Sequence, residues 1–413
     1  MRVLHVNKFL YRRGGAEAYM EDVAVLQRRA AHEVAFFGMR HPANSEAGGE
    51  QEFAEHFPPH LELDPPPPTL LGKSRAVGRM LWSTSAARGI DAVIEAFRPD
   101  VAHLHNVYHQ LSPSILGPLA RRRIPTVMTL HDYKLACPTY LFMAGGQVCE
   151  ACLGGRFHQA VRRRCKDGSL AASGVLALES ALHTATRAYS RVGVFACPSR
   201  FMAAKMAQAG VFPERMRCVP HFVDASAIAP ADRPGQGAVF AGRLSAEKGV
   251  DTLIEAVARL GSGRLEIAGD GPERAALTAL AKERAPGRVR FHGHLPKTDL
   301  YELLRSSAVA VLPSRCYENQ PLIVLEAFAC GVPVLCSDLG GMPELVDPGV
   351  DGELAPANDP DALAGRLSRF LDDPEGAFAM GKAARAKAED RFSPEGHLRR
   401  LDALYAEAAA HVR

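Results

Sequence analysis

The sequence predicts an α/β protein built from two doubly wound parallel sheets. Short apolar strands rich in β-branched residues alternate with amphipathic helical stretches along nearly all of the 413 residues. This alternation is typical of parallel sheets covered by helices on both faces. About ten such strands are too many for one ordinary open sheet. Because ligands of open α/β sheets lie beyond the carboxyl ends of the strands, two facing sheets would hold one between them.

The predicted elements fall into two sets on either side of residues 222–237, a stretch rich in Pro, Ala, Asp and Gly with little periodicity. The strands of the first half are Val3–Asn7, Glu33–Gly38, Val101–Asn106, Thr126–Asp132 and Val192–Ser199. Those of the second half are Ala238–Arg243, Arg264–Gly269, Val289–His294, Val309–Ser314 and Val332–Asp338. Helical patterns cover Ala16–Ala30, Gly249–Leu260, Pro272–Ala285 and Leu322–Cys330. We therefore expect domains over 1–222 and 223–395, and a C-terminal helix over 396–413 with a route back to the first domain left open.

The composition excludes several classes of protein. With 47% hydrophobic and 23% charged residues, the chain has enough apolar material for large cores and is not disordered. The sequence contains no run of about 18 apolar residues, so it predicts no membrane span. The N-terminus reads as a strand rather than a signal peptide, which predicts a cytoplasmic protein. Nine cysteines, an odd number, favour reduced thiols or metal ligands over a disulfide framework.

The charge is unevenly distributed along the chain. Residues 1–226 carry 27 Lys and Arg against 19 Asp and Glu, whereas residues 227–413 carry 22 against 27. A basic first half suggests an anionic partner. The clusters Arg121–Arg123 and Arg162–Arg164 with Lys166 predict peripheral contact with an anionic membrane, at its inner face, and no nucleic acid is expected as a partner. The alternative is a solubilising surface.

Two turns at predicted strand ends could bind phosphate. The first, Gly14-Gly15 followed by Glu17, opens a helix whose N-terminus favours an anion. Taken alone, however, this pattern favours a plain strand-to-helix turn over a phosphate site. The second brings Arg243 and Lys248 to a glycine-flanked turn, a pair of cations that suits a diphosphate. Solvated loop charges are its alternative.

A third segment pairs two carboxylates around the start of a predicted helix. Glu318 precedes Pro321, a residue suited to the first turn of a helix, and Glu326 follows inside the apolar helix. A carboxylate in apolar surroundings needs a partner. Sugar hydroxyls are suitable donors for both.

In order, these motifs resemble those of retaining glycosyltransferases of family four, the glycosyl transferases group 1, and the resemblance covers nearly the whole chain. The C-terminal motifs are Gly242-Arg243-Leu244-Ser245, Glu247-Lys248-Gly249, Gly269-Asp270-Gly271-Pro272, Phe291-His292-Gly293, Glu318 with Glu326-Ala327, Gly331-x-Pro333-Val334 and Gly340-Gly341-Met342-Pro343-Glu344. The N-terminal ones are Gly14-Gly15-Ala16-Glu17, His103-x-His105-Asn106 and His131-Asp132-Tyr133. The resemblance implies the GT-B fold, with two facing Rossmann-like domains and the active site between them.

The resemblance also implies residue roles. The implied catalytic residues are Arg243, Lys248, Glu318 and His131. The implied donor-binding residues are Gly14, Gly15, Gly242, Gln320, Leu322, Ile323, Val324, Glu326, His292 and Leu295. Among these, Glu326 would hold the ribose, the main chain from Gln320 to Val324 would donate N–H groups, and the residues around His292 and Leu295 would line the base. Asn106 and Glu17 are expected on the acceptor side.

The implied reaction transfers a sugar from a nucleoside diphosphate sugar to a sugar or lipid-linked acceptor, such as a cell-surface or exopolysaccharide precursor, with retention at the anomeric carbon. The cations would do the work of a catalytic metal, so none is expected. Asn319-Gln320-Pro321 departs from the commoner small-residue form, which leaves the donor sugar open. A nucleotide-sugar epimerase on the same fold and a non-catalytic nucleotide-binding protein remain alternatives.

An insertion over residues 137–170 contains Cys137, Cys149, Cys152 and Cys165. The segment is too poor in apolar residues to build its own core, and four thiolates suit a structural Zn²⁺ that would hold it together. Ordinary reduced cysteines or a redox pair at Cys149 and Cys152 are the alternatives.

Two further expectations concern single residues in the first half. We expect His103 and His105 to point to opposite faces of one strand and so not to share a metal, which leaves Asn106 as the better site residue. Trp82, the one tryptophan, is expected in the core.

Overall fold

The computed structural model describes residues 1–45, 52–63 and 65–412. They form two six-stranded sheets in which every paired strand is parallel. The parallel connections place helices on the faces of each sheet, as the alternating sequence pattern predicts.

The first sheet has the order β2-β1-β3-β4-β7-β8. Its strands are β1 (Arg2–Val6), β2 (Glu33–Phe37), β3 (Val101–Leu104), β4 (Thr126–Thr129), β7 (Val194–Cys197) and β8 (Met216–Cys218), and the short strands β5 (Met143–Ala144) and β6 (Gln147–Val148) form a separate hairpin. The helices of this half are α1 (Gly15–Arg29), α2 (Leu70–Leu81), α3 (Thr84–Phe97), α4 (Leu116–Arg121), α5 (His158–Arg162), α6 (Leu170–Ala185) and α7 (Arg200–Gln208).

The second sheet has the order β11-β10-β9-β12-β13-β14. Its strands are β9 (Ala238–Ala241), β10 (Leu265–Ala268), β11 (Val289–Gly293), β12 (Val309–Leu312), β13 (Val334–Ser337) and β14 (Gly352–Ala355). The helices are α8 (Val250–Arg259), α9 (Arg274–Arg284), α10 (Lys297–Arg305), α11 (Leu322–Ala329), α12 (Pro360–Asp372), α13 (Pro374–Arg391) and α14 (Pro394–Ala410).

All ten predicted strands are present, and the sequence patterns missed the edge strands β8 and β14 and the hairpin. Strand β8 has only three residues, and its last one, Cys218, is exposed. Strand β14 begins at a glycine and carries the charged Glu353, so it lacks a continuous apolar run. Edge strands are buried less fully than central ones, which weakens the pattern by which a strand is recognised.

The last helix packs against the first sheet rather than the second. Leu401, Leu404, Tyr405 and Ala408 of α14 lie in one buried cluster with Val3, Val127 and Val194 of strands β1, β4 and β7. The Ser393 hydroxyl caps the helix by accepting the Gly396 N–H. The chain therefore returns to its first half at its C-terminal end.

Several large apolar side chains are exposed on α2 and α6, which contact each other. They are Leu70 and Leu71 at the start of α2, Trp82 just after it, and Leu170, Leu178 and Leu182 on α6. The prediction that Trp82 lies in the core is wrong, because its side chain is 52% exposed. The helical spacing of its neighbours identified the helix, but Trp82 itself is the extended residue that ends it.

Candidate active site

An ion pair joins two loops at the carboxyl end of the second sheet. Lys248 follows β9 and its Nζ lies 2.6 Å from Oε1 of Glu318, which follows β12. The Ser314 hydroxyl donates to the same carboxylate oxygen at 2.8 Å. Burial by itself would raise the pKa of Glu318, but Lys248 and Ser314 hold it below its usual range. Burial likewise opposes the charge on Lys248, yet the Glu318 carboxylate raises its pKa.

Arg243 lies exposed in the same loop as Lys248 and directly after Gly242. The neighbouring loops pack closely at glycines: Gly269 has a φ of +133°, and a Cβ there would collide with the Gly242 carbonyl. The two loops can approach this closely only because Gly269 has no side chain. Arg243 thus lies exposed at the carboxyl end of the second sheet.

Helix α11 begins at Leu322, and its Glu326 is mostly buried. The Tyr301 hydroxyl donates to Glu326 Oε1 at 3.4 Å, and Lys297 Nζ lies 3.7 Å from it. Lys297 Nζ is also 3.7 Å from Asp22 of α1, so this group of charges spans both halves of the chain. Burial raises the pKa of Glu326 against the pull of Lys297.

The main-chain prediction for residues 320–324 needs a correction. The Gln320 N–H donates to Asn319 Oδ1 at 2.7 Å, and the Val324 N–H donates to the Pro321 carbonyl at 3.1 Å. Pro321 has no N–H. The first-turn N–H groups of a helix have no intrahelical acceptor, so Leu322 and Ile323 are the residues of this stretch that can offer theirs.

The glycine turn of the first sheet faces the start of α11. Gly14 and Gly15 are exposed, and a Cβ on Gly15 would lie 3.8 Å from Cδ1 of Leu322. The glycine turn of the first half therefore approaches the start of α11 in the second half. Helix α1 starts at Gly15, which directs its positive N-terminal end toward this gap.

Asn7, which the sequence patterns did not single out, links the two expected acceptor-side residues. Its Nδ2 donates to Glu17 Oε1 at 3.2 Å, and its Oδ1 accepts the Asn106 N–H at 3.0 Å. Burial raises the pKa of Glu17 despite that hydrogen bond. Asn7 directly follows β1, and a polar residue at a strand end was the signal that could have identified it.

His131, which follows β4, meets the second half of the chain through its backbone. The Asn319 Nδ2 donates to the His131 carbonyl at 2.8 Å. The imidazole Nε2 lies 3.0 Å from Nδ1 of His105. Burial lowers the pKa of His131 to about 3, so the ring is neutral at physiological pH.

The residues that depart from the commoner family pattern make contacts across the cleft. Besides Asn319, the Gln320 Oε1 accepts the His221 N–H at 2.5 Å, and the Gln320 side chain is buried. Both the Gln320 side chain and its N–H therefore have protein partners in this arrangement. Asn319 and Gln320 instead join the second sheet to the first.

The residues expected around the base lie at the end of β11. The Nε2 of His292 is 2.6 Å from Oε2 of Glu266 on the adjacent strand β10. Both side chains are partly buried, as is Leu295 in the loop that follows. His292 and Leu295 thus border the same end of the sheet as Arg243.

The prediction for His103 and His105 is wrong. Residues two apart on an extended strand share a face, and the two rings lie 4.5 Å apart between centroids. With His5 they form a group whose ring nitrogens lie within 4.8 Å of one another. Hydrogen bonds occupy both nitrogens of each ring, so we do not assign a metal to them.

The cysteine insertion lies next to the candidate site. Glu150, between Cys149 and Cys152, accepts a hydrogen bond from the Tyr317 hydroxyl at 2.6 Å and pairs with Lys205 at 2.6 Å. Tyr317 immediately precedes Glu318. The expectation that the insertion builds no core of its own agrees with the small cluster in which Cys152, Phe157 and Ala160 pack with Ala177 of α6. The insertion thus buries its apolar side chains against helix α6.

The four cysteines of the insertion are neighbours. Burial and the nearby thiols of the other three cysteines raise the pKa of Cys152, and similar effects raise that of Cys165. Across the described residues, however, these sulfurs form no group of three within 4.8 Å of one another. They are close enough to interact but wider apart than the ligands of one zinc ion.

A buried charge cluster beneath the site escaped sequence reasoning. The Lys134 Nζ lies 2.9 Å from Glu179 Oε2, and His109 Nδ1 lies 2.9 Å from Glu179 Oε1. Burial opposes the charge of Glu179, but Lys134 and His109 lower its pKa far below the usual value. Glu179 is the one acidic residue of the apolar helix α6, which was the available signal.

Two family descriptions match consecutive parts of the chain. "Glycosyltransferase Family 4" matches residues 13–227, and "Glycosyl transferases group 1" matches residues 230–387. Because the first match alone covers more than half of the chain, the chain belongs to glycosyltransferase family 4. Its two Rossmann-like parallel sheets are those of a GT-B protein.

Named relatives include a D-inositol 3-phosphate glycosyltransferase and a glycogen synthase. The chain is 27% identical over 435 residues to D-inositol 3-phosphate glycosyltransferase of Thermobispora bispora, covering 97% of this chain and 91% of that protein. It is 39% identical over 170 residues to glycogen synthase of Mycobacterium tuberculosis, a match to 39% of this chain that spans 41% of the length of that relative.

Solved structures of low sequence identity share the fold. Sucrose-phosphate synthase from Thermosynechococcus elongatus superposes with a TM-score of 0.71 at 20% identity, over 99% of both chains. HepE of Anabaena superposes with a TM-score of 0.67 at 19% identity, over 98% of this chain and 99% of that one.

The Lys248–Glu318 pair should contribute to stability. We expect Glu318→Gln and Lys248→Met each to lower the free energy of unfolding by about 2 kcal/mol, because each leaves a partly buried charge without its partner. The double variant should lose less than the sum, as urea unfolding would measure.

The pH dependence follows from the lowered pKa of Glu318. The contribution of the carboxylate is complete above its ordinary pKa of about 4.5 and disappears as the pH falls through the lower folded value. The stability difference between the native chain and Glu318→Gln should therefore shrink in acid. Arg259→Met, which removes an exposed ion pair with Asp361, serves as the control and should change little. If the double variant of Lys248→Met and Glu318→Gln lost the full sum of the two single losses, the coupling between Lys248 and Glu318 would be contradicted.

Proposed function

We propose that the chain is a retaining, metal-independent glycosyltransferase that moves a sugar from a nucleoside diphosphate sugar to an acceptor. The observation that carries this proposal is the Lys248–Glu318 pair, with the exposed Arg243 in the same loop as Lys248. These residues lie at the carboxyl end of the second sheet, and the Gly14-Gly15 turn approaches the start of α11 there. A diphosphate needs cations and N–H donors from more than one direction, and this gap offers both.

The donor would lie across the carboxyl end of the second sheet. Arg243 and Lys248 would bind the diphosphate, with the N–H groups of Leu322 and Ile323 beside them. The carboxylate of Glu326 would accept the ribose hydroxyls, and the stretch at His292 and Leu295 would border the base. The HepE structure of the same fold contains UDP-glucose, which supports this class of donor.

Transfer would begin as the bond between the anomeric carbon and the phosphate oxygen breaks. Arg243 and Lys248 would stabilise the charge that develops on the departing diphosphate, a preorganised electrostatic contribution. The acceptor hydroxyl would attack the same face, and the departing phosphate oxygen would take its proton. Glu318 holds Lys248 in place through one oxygen, and its carboxylate would also accept hydroxyls of the transferred sugar.

A lipid-linked acceptor would bring the enzyme to a membrane surface. No helix among the described residues is both long and apolar enough to cross a bilayer. The exposed leucines of α2 and α6 and the exposed Trp82 instead form an apolar surface, and the exposed Arg162–Arg164 lie just before α6. We propose that this surface lies on anionic lipid at the inner face of the cytoplasmic membrane.

The two basic clusters differ in their availability. Arg122 pairs with Asp91 at 2.9 Å and with Glu95 at 3.0 Å, so Arg121–Arg123 is partly neutralised. The cluster at Arg162–Arg164 adjoins the exposed leucines. We therefore assign the lipid contact to Arg162–Arg164 rather than to both clusters.

We also propose that a structural Zn²⁺ closes the insertion through Cys137, Cys149, Cys152 and Cys165. Their neighbouring thiols support it. Binding would draw the four sulfurs together and would remove their protons, because a zinc ion is bound by thiolates. With four protein ligands the ion would have no open position for substrate.

The catalytic proposal predicts large losses of transfer. Arg243→Ala, Lys248→Ala and Glu318→Gln should each lower the rate by about 10²–10³-fold in a folded protein. The donor is first chosen by thermal-shift screening against UDP, GDP, ADP and TDP sugars, since a bound ligand raises the melting temperature. The product configuration is then read by NMR.

The matched control is Arg259→Ala, an exposed cation of the same domain, which should retain full activity. Wild-type rates in the three site variants would rule out this assignment, and an inverted product would rule out retention. Interconversion of donors without an acceptor would indicate an epimerase instead.

The membrane proposal predicts flotation with anionic vesicles at low salt. Each basic residue near the surface contributes about 1 kcal/mol, so replacing Arg162–Arg164 by serine should abolish most binding. Leu178→Ser with Leu182→Ser should weaken it as well. Removing three exposed basic residues of the second half, Arg233, Lys282 and Arg290, is the matched control. Equal recovery with neutral and anionic vesicles would contradict the proposal.

The zinc proposal predicts about one Zn per chain in protein purified without chelator. Chelation or Cys152→Ser should remove the ion and lower the melting temperature, whereas Cys218→Ser, an exposed cysteine elsewhere, should not. A content below about 0.2 Zn per chain with no effect of chelator would exclude the ion.

A further inference from the structure

A chain of hydrogen bonds runs inward from His131. His131 Nε2 lies 3.0 Å from His105 Nδ1, and His105 Nε2 lies 3.0 Å from His5 Nδ1. The other ring nitrogen of His5, Nε2, is 2.7 Å from Oε1 of Gln27 on α1. His5, His105 and Gln27 are fully buried. The chain of hydrogen bonds therefore reaches from the candidate site to helix α1 behind the first sheet.

The chain of hydrogen bonds continues through the C-terminal helix and returns to the first sheet. Gln27 Nε2 donates to the Tyr405 hydroxyl of α14 at 2.8 Å. That hydroxyl is 2.8 Å from His103 Nδ1, and His103 Nε2 is 2.7 Å from the Thr129 hydroxyl. The side chains of Gln27, Tyr405 and His103 thus form a second segment of the same chain.

The hydrogen-bond chain ends at the Thr129 hydroxyl, and its direction is set at Gln27. The Gln27 amide nitrogen, which can only donate, faces the Tyr405 hydroxyl, and the amide oxygen, which can only accept, faces His5 Nε2.

That direction passes from Gln27 to Thr129. Burial lowers the pKa of His103 well below its usual value, so the ring is neutral, with one donor and one acceptor nitrogen. Tyr405 accepts from Gln27 and donates to His103 Nδ1, and His103 donates from Nε2 to Thr129.

The first segment carries the direction to the cleft. The Gln27 amide oxygen lies 2.7 Å from His5 Nε2 and accepts its hydrogen bond. His5 then donates from Nε2 and accepts at Nδ1. His105 donates from Nε2 and accepts at Nδ1, and His131 must donate from Nε2. The lone pair of His131 is left on Nδ1.

We infer that this chain of hydrogen bonds holds His131 as the Nε2–H tautomer, with its lone pair on Nδ1. The expectation that His131 contacts the donor sugar rests on the proposed function, whereas the tautomer does not. Gln27 is the positioning residue, since its amide, with one donor and one acceptor end, sets the direction toward both Tyr405 and His5. His5 and His105 transmit it further.

The group formed by His5, His103 and His105 could bind a metal ion only if some of these hydrogen bonds were broken. His5, His103 and His105 already use all six nitrogens in hydrogen bonds. A chain of neutral imidazoles also satisfies every buried donor and acceptor, which an isolated buried histidine would not. The arrangement therefore suits proton placement better than metal binding.

The direct test is the tautomer of His131 in ligand-free protein. Protein labelled with ¹⁵N-histidine is measured by two-bond ¹H–¹⁵N correlation at neutral pH, and His131→Gln assigns its signals. We expect the proton on Nε2. A proton on Nδ1 would overturn the inference. This measurement needs no activity, so it separates failure of the tautomer from failure of the proposed transfer.

Variants of Gln27 test the transmission. Gln27→Leu should leave His131 as a mixture of tautomers and lower kcat about tenfold, the effect of one lost hydrogen bond, with KM for the selected donor within about twofold. Gln27→Glu should restore the Nε2–H form and the rate, because a carboxylate still accepts from His5. Val25→Ala, exposed on the same helix, should change neither.

An unchanged tautomer in Gln27→Leu would overturn the role of Gln27. Should that variant fail to fold, Tyr405→Phe removes the hydroxyl that orients the Gln27 amide and keeps the ring that packs against the sheet. It should also mix the tautomers of His131, and an unchanged Nε2–H signal there would count against the chain.

Discussion

The contact between the Asn319 amide and the His131 carbonyl joins the two sheets at the point where the candidate site lies. It places the loop after β12 against the end of β4, so that Glu318 is close to the first half of the chain while it still pairs with Lys248. Gln320 strengthens the same junction through the His221 N–H. A site between two sheets depends on such contacts, because neither sheet alone presents both cations and the facing glycine turn.

The site is supported by groups that were costly to bury. Several imidazoles lie beneath His131, and an unpaired polar group there would lose its hydrogen bonds to water without replacement. The hydrogen-bond chain through Gln27 and Tyr405 satisfies them. Because Tyr405 belongs to α14, this C-terminal helix contributes to the environment of a residue in the first half of the protein. This dependence gives the return of α14 a chemical role besides its apolar packing.

The local part of the candidate site could be predicted. Gly14 and Gly15 follow β1, and Arg243 and Lys248 follow β9, so each turn lies at the carboxyl end of its own parallel sheet. The contacts made by Gln320 and Asn7 could not be predicted in the same way. Gln320 binds a backbone group 99 residues away, and Asn7 one that is also 99 residues away. No periodicity in a sequence encodes such a pairing.

By itself, the sequence determined the alternation of strands and helices, the two-sheet organisation and the ends of strands at which chemistry could occur. These properties depend on apolar periodicity and turn residues, which act over a few neighbouring positions. Only the tertiary structure decided that Trp82 is exposed, that the side chain of Gln320 binds the His221 N–H of the first half, and that His5, His103 and His105 share one face as part of a directed hydrogen-bond chain. Each of these depends on which distant elements pack together, since a side chain takes its partners from the helix or sheet that lies against it.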